Sequence, residues 1–170
     1  MKTRTTRVVN NNNLIDLICE SIAYSLGNQI ITKDQRKLIV SKILLSKMKV
    51  DNMMPHVFNA ENILLIAKGN SELFSLYRAR LISNIFYYLV KDHILPNGNK
   101  RLAVAFLWAM IGTCEEMRNN VISLVKKTAS GEFSVDDIEW RIKNWMENKE
   151  EWDITHYGEF RKLIDQLAKE

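Results

Sequence analysis

The 170-residue chain has only two cysteines, Cys19 and Cys114. They show neither metal-ligand spacing nor a disulfide framework, which excludes a cysteine-built zinc site and fits a reducing compartment. Both read as small core residues. Long hydrophobic runs are missing too: the longest uncharged apolar run, Leu102 to Cys114, is too short to cross a bilayer. No apolar signal core follows the charges of the opening MKTRTTRVVNNNN, so the expected location is the cytoplasm, with no membrane partner. Alternating period-two segments are lacking apart from Thr5 to Val9, which argues against a sheet. There is no internal repeat, and the run of asparagines from Asn10 to Asn13 is the one low-complexity tract.

What is present is ordinary for a folded domain. Hydrophobic residues make up 46% and charged residues 26%, values that exclude a disordered chain, and the length suits one domain with a real core. Residues 1–13 read as a flexible basic and asparagine-rich arm, and 14–170 as a single helical domain. The net charge of +4 is unevenly spread: residues 1–50 carry 9 Lys/Arg against 3 Asp/Glu. Because the cations are not interleaved with aromatics and no helix-turn-helix punctuation follows, this reads as a solvated basic face rather than a nucleic-acid site.

The periodicity is helical nearly everywhere, so the expected class is all-α. Leu14, Leu17, Ile18, Ile22 and Leu26 share one helix face, with Gly27-Asn28 as the stop. Thr32 caps a second helix with Leu38, Ile39, Ile43 and Leu44 as its expected buried stripe. Asn59 opens a short helix, with Glu61 in its first turn and Gly69 past its end. Asn70 or Ser71 caps a long one, which runs to about Asp92 with Phe74, Tyr77, Leu81, Ile85, Tyr88 and Leu89 along one side. After a turn at Pro96 and Asn97-Gly98, the chain from Asn99 reads as a helix apolar all round, as expected at the centre of a bundle. Ser134 to Asp137 resembles a capping box for a helix with Ile138, Ile142, Trp145 and Met146, and a last helix holds Phe160, Leu163, Ile164 and Leu167. Trp140, Trp145 and Trp152 are expected to pack the C-terminal helices onto the bundle.

The chemistry concentrates in HILPNGNKR, His93 to Arg101. The first turn of a helix presents unpaired N–H groups at a positive dipole end, a setting that accepts anions. Gly98 allows close approach of a phosphate to the backbone, and Asn99, Lys100 and Arg101 bring donors to the same place. His93, five residues before Gly98, is near enough to take a proton from an incoming hydroxyl. The plainer alternative is a dipole-stabilising histidine followed by a solvated turn.

Taken jointly, the stretch resembles the signature of the Fic/Doc (Fido) family, His-x-Phe-x-Asp/Glu-Gly-Asn-Gly/Lys-Arg, and is closer to Doc-like members through its Gly-Asn-Lys-Arg ending. The fold resemblance spans about residues 60–150 and implies a helical bundle around the helix that follows the loop. It implies a transferase that moves a phosphoryl or AMP group from ATP or another nucleotide, with Mg²⁺, to a Ser, Thr or Tyr hydroxyl of a target protein. Membership also implies the setting of a toxin paired with an antitoxin protein. Residue by residue, His93 becomes the general base, Gly98 and Asn99 part of the phosphate cradle, and Arg101 the phosphate clamp. Lys100 stands where AMP-transferring members have glycine, which leans the chemistry toward phosphate transfer.

Three positions depart from the pattern. Leu95 replaces phenylalanine, an apolar exchange that should still anchor the loop. Leu102 stands where Doc-like chains often have threonine. Asn97 replaces the acid that holds the metal, and a carboxamide is a poorer partner for a hard dication than a carboxylate. The alternative reading is therefore an inactive or altered Fido fold that acts as a binding or regulatory module. Some members carry an inhibitory helix, Ser/Thr-x-x-x-Glu-Gly/Asn, and the nearest match is Val57 to Asn62. It would make Glu61 the residue that blocks the arginine, although Glu61 is equally well explained as a helix N-terminal charge.

Overall fold

The structure, a computed structural model, describes residues 32–111 and 118–147. The described residues form six helices and no strand: α1 (Lys33–Met53), α2 (Ala60–Ala67), α3 (Glu72–Lys91), α4 (Asn99–Ile111), α5 (Arg118–Ala129) and α6 (Val135–Glu147). The stretch 14–26, the strand-like Thr5 to Val9, Trp152 and the helix expected around Phe160 lie outside the described residues, as do both cysteines.

Each helix start has a local cause. Thr32 accepts from the Gln35 N–H while the Gln35 side chain accepts from the Thr32 N–H, a reciprocal cap that starts α1. Asn59 caps α2 and Ser71 caps α3 by accepting from the amides three residues on. At α6, Ser134 and Asp137 exchange bonds in the manner read from the sequence. Gly69 and Gly131 take φ values of 73° and 85° after α2 and α5, where a left-handed residue ends the helix.

The organising element is α3. It packs against each of the other five helices, and α4 packs on both α3 and α5. The core follows from that arrangement: Ile82, Ile85, Phe86 and Leu89 of α3 meet Leu102 and Phe106 of α4, Leu124 and Val125 of α5, and Ile138 and Ile142 of α6. All ten side chains are fully buried. At about 1.5–3 kcal/mol for each large side chain taken out of water, this one cluster supplies most of what holds the helices together.

Two sequence expectations are corrected. The buried stripe of α1 is Ile39, Ile43, Ser46 and Val50, whereas Leu38 and Leu44 are 50% and 43% exposed. Trp140 points outward at 65% exposure instead of packing on the bundle, and the Arg141 guanidinium lies between its ring and that of Phe133. Trp145 does pack on the core. The helix α5 was not anticipated from the sequence at all, although Val121, Ile122, Leu124 and Val125 bury its inner face.

Candidate active site

The long helix α3 delivers His93 two residues past its end. Asp92 caps the helix in the right-handed region, its N–H donating to the Tyr88 carbonyl at 2.9 Å. His93 then turns to φ 47°, the left-handed position that usually goes to glycine or asparagine after a helix. The side chain is exposed. Among the described residues its imidazole has no hydrogen-bond partner, so what is fixed is the direction of its Cα–Cβ bond, set by the backbone on either side.

The far side of the loop is fixed firmly. Leu95 is 2% exposed and buried in the core, in keeping with its expected anchoring role. The Asn99 carboxamide closes a two-way clamp on the same residue: Leu95 N–H donates to Asn99 Oδ1 at 2.9 Å, and Asn99 Nδ2 donates to the Leu95 carbonyl at 2.8 Å. Asn99 was expected to offer a side-chain donor to the anion cradle. Its side chain is instead engaged with the Leu95 peptide groups.

Gly98 takes φ 90° and carries the first carbonyl of α4, which accepts from the Leu102 N–H at 2.9 Å. A Cβ at this position would lie 2.9 Å from Arg101 Nη2, so the arginine side chain curls back over the glycine. The positive φ favours glycine here, and a side chain would also displace the Arg101 guanidinium from the turn. The guanidinium thus lies over the same turn as the N-terminal amides of α4, which have no acceptor within the helix.

The charge at this turn runs against the usual pattern. The first turns of α1, α2, α3 and α6 hold Asp34, Glu61, Glu72, and Asp136 with Asp137; α5 holds no acid and opens on Arg118, and the first turn of α4 holds no acid and has two cations, Lys100 and Arg101. Cations at a positive helix end repel it unless an anion joins them. Lys100 and Asn97 are both exposed, and Pro96 closes the turn beside them.

Chemically, the loop carries an exposed histidine and, from five residues further on, helix N-terminal amides with two cations, groups of the kind that phosphoryl transfer to a hydroxyl uses. A resident divalent cation fits these residues poorly. Asn97 offers a neutral carboxamide, and no three His, Cys, Asp or Glu side chains among the described residues come together as a metal-holding group.

The segment Val57 to Asn62 has a clear structural task. Val57 is fully buried, and the buried Asn62 carboxamide donates to the Val57 carbonyl while accepting from Ser71 Oγ at 2.7 Å. Glu61 is exposed at the start of α2, and none of the ion pairs among the described residues joins it to Arg101. The link from Lys42 to Tyr88 and Asp92, next to the histidine in the chain, escaped the sequence reading, because nothing in the spacing of a lone chain ties a lysine on α1 to the end of α3. No protein-family model matches the chain, and no curated protein or solved structure matches it.

Proposed function

We propose that the chain is a nucleotide-dependent transferase of the Fic/Doc kind that modifies a Ser, Thr or Tyr hydroxyl on a target protein. The observation that carries the reading is the pairing of two costly features within one loop. His93 is held in a left-handed conformation with its imidazole unengaged, and two cations follow Gly98 into the positive end of α4. Neither helps the fold, and both serve a phosphate-transfer reaction.

In the proposed step the hydroxyl oxygen attacks a phosphorus of the nucleotide, and its proton passes to the His93 imidazole. The bond from that phosphorus to the leaving group breaks, releasing ADP if the terminal phosphoryl of ATP moves and pyrophosphate if AMP moves. The Arg101 guanidinium, the Lys100 ammonium and the first-turn amides of α4 stabilise the charge on the phosphate oxygens. Lys100 favours terminal phosphoryl transfer, since it adds a cation where the terminal phosphates would lie. A toxin role countered by an antitoxin belongs to the same proposal.

A second reading, a silent Fido fold serving as a binding or regulatory module, is favoured by Asn97. The deciding experiment supplies α-labelled and γ-labelled ATP in parallel to a lysate with wild type and His93→Ala. Label from γ alone that disappears in the variant supports phosphate transfer, and label from α alone that disappears in the variant supports AMP transfer. No label from ATP or from the other nucleoside triphosphates favours the silent module.

A further inference from the structure

We infer that Lys42, on α1 and far outside the motif, is a positioning residue for His93 and acts through Asp92. The inference rests on the proposed role of His93 for its functional meaning, though not for its structural content. Since the imidazole has no partner of its own among the described residues, the point and direction from which it leaves the backbone depend on the two flanking peptide segments. Beyond His93 the loop is held by buried Leu95 and the Asn99 clamp. Before it, the holding group is the Asp92 carboxylate, which meets the Lys42 ammonium at 2.5 Å.

That ion pair belongs to a larger bridge between α1 and the last turn of α3. Lys42 and Lys49 sit over the Tyr88 ring at 5.9 Å and 5.7 Å from its centre, and Lys49 Nζ donates to the Tyr88 hydroxyl at 3.3 Å. Tyr88 in turn supplies the carbonyl that accepts from the Asp92 N–H. Lys42 and Tyr88 therefore both hold Asp92, the residue just before the histidine, and Lys49 braces Tyr88. A left-handed non-glycine residue persists only where its surroundings over-determine it, and this bridge supplies the half of that constraint that the motif does not.

The pair is partly exposed, at 36% for Lys42 and 27% for Asp92, so it adds little to global stability. Its effect is local, which separates a positioning role from a merely structural one. The test compares wild type, Lys42→Ala and the conservative Lys42→Arg in two measurements. The first is hydrogen exchange of the Asp92 and Leu95 amides, which needs no activity. In Lys42→Ala both are expected to exchange about two- to fivefold faster, with Lys42→Arg close to wild type and the melting temperature nearly unmoved. Unchanged exchange at Leu95, across the histidine from the ion pair, would overturn the inference.

The second measurement is label transfer from the nucleotide. Lys42→Ala is expected to lower kcat about tenfold while leaving the nucleotide KM in place, because the α4 cradle is untouched. A fall in KM-dependent binding with kcat intact would also overturn it. If wild type itself transfers no label, the proposed function fails while the exchange result still decides whether Lys42 holds His93.

Discussion

At φ 47°, His93 occupies a position where glycine escapes the Cβ clash of an L-residue, a gain of about 1–2 kcal/mol of which glycine's greater chain entropy takes back roughly half. His93→Gly is therefore expected to stabilise the fold by about 0.5–1 kcal/mol, raising the melting temperature by roughly 2 °C, while label transfer disappears. A lower melting temperature would mean that the imidazole contributes to folding after all. The same residue shows what a lone sequence can tell. The spacing from His93 to Arg101 was readable because a base, a glycine and two cations at fixed distances carry chemistry whatever surrounds them. The task of Asn99 was not readable, since a carboxamide serves a ligand and a backbone equally well and only folding selects the Leu95 peptide groups. Lys42 left no trace for a simpler reason: its partner is Asp92, fifty residues away and on another helix.

At the scale of elements, caps were more legible than faces. Ser134 and Asp137 were paired correctly because capping chemistry depends on residues three apart. The buried side of α1 is read correctly at Ile39 and Ile43 and wrongly at Leu38 and Leu44, because that helix is apolar on more than one face: Leu38, Leu45 and Met48 are half exposed, while Ile39, Ile43 and Val50 are buried. Periodicity alone gives no ground for choosing between such stripes. The cap of α6 also has a pH consequence. Hydrogen bonds from the Ser134 backbone and hydroxyl hold the Asp137 carboxyl below its usual range, and Arg141 lowers it further. A depressed folded-state value means that the carboxylate stabilises the cap above the unfolded value, near 4, and that this contribution is lost as pH falls through the folded one. The first turn of α6 should fray below about pH 4, seen as faster exchange of the Asp137 and Ile138 amides, and Asp137→Asn should remove that pH dependence. Loss of protection at the same pH in the Asn variant would assign the fraying to another group.

At the scale of the whole molecule, the proposed site depends on α3, whose two ends do different work. Its C-terminus presents His93, and its N-terminal half ties α1 and the α1–α2 connection into the bundle through Tyr77. That tyrosine is 4% exposed, donates its hydroxyl to the Asp51 carboxylate, and meets the ring of Phe58 edge-on at 5.2 Å. Lys47 donates to the other oxygen of Asp51 at 2.7 Å, so a cation remains with the carboxylate if the tyrosine hydroxyl is removed. Burial pushes the phenol well above its ordinary value near 10, and the bond to Asp51 and its negative charge push it further. The sign follows directly. A raised folded-state value leaves the contribution whole below pH 10 and removes it progressively as pH climbs above that value, because the unfolded chain releases its proton first. Denaturant midpoints measured from pH 8 to pH 11.5 should fall more steeply for wild type than for Tyr77→Phe. At pH 8 the variant should be less stable by about 1 kcal/mol, the usual worth of one hydrogen bond. Other groups also titrate in this window, but they are common to both proteins, so the difference between the two curves isolates Tyr77. Parallel curves would mean that the Tyr77–Asp51 bond adds nothing to stability and that α1 is held to α3 by its apolar face.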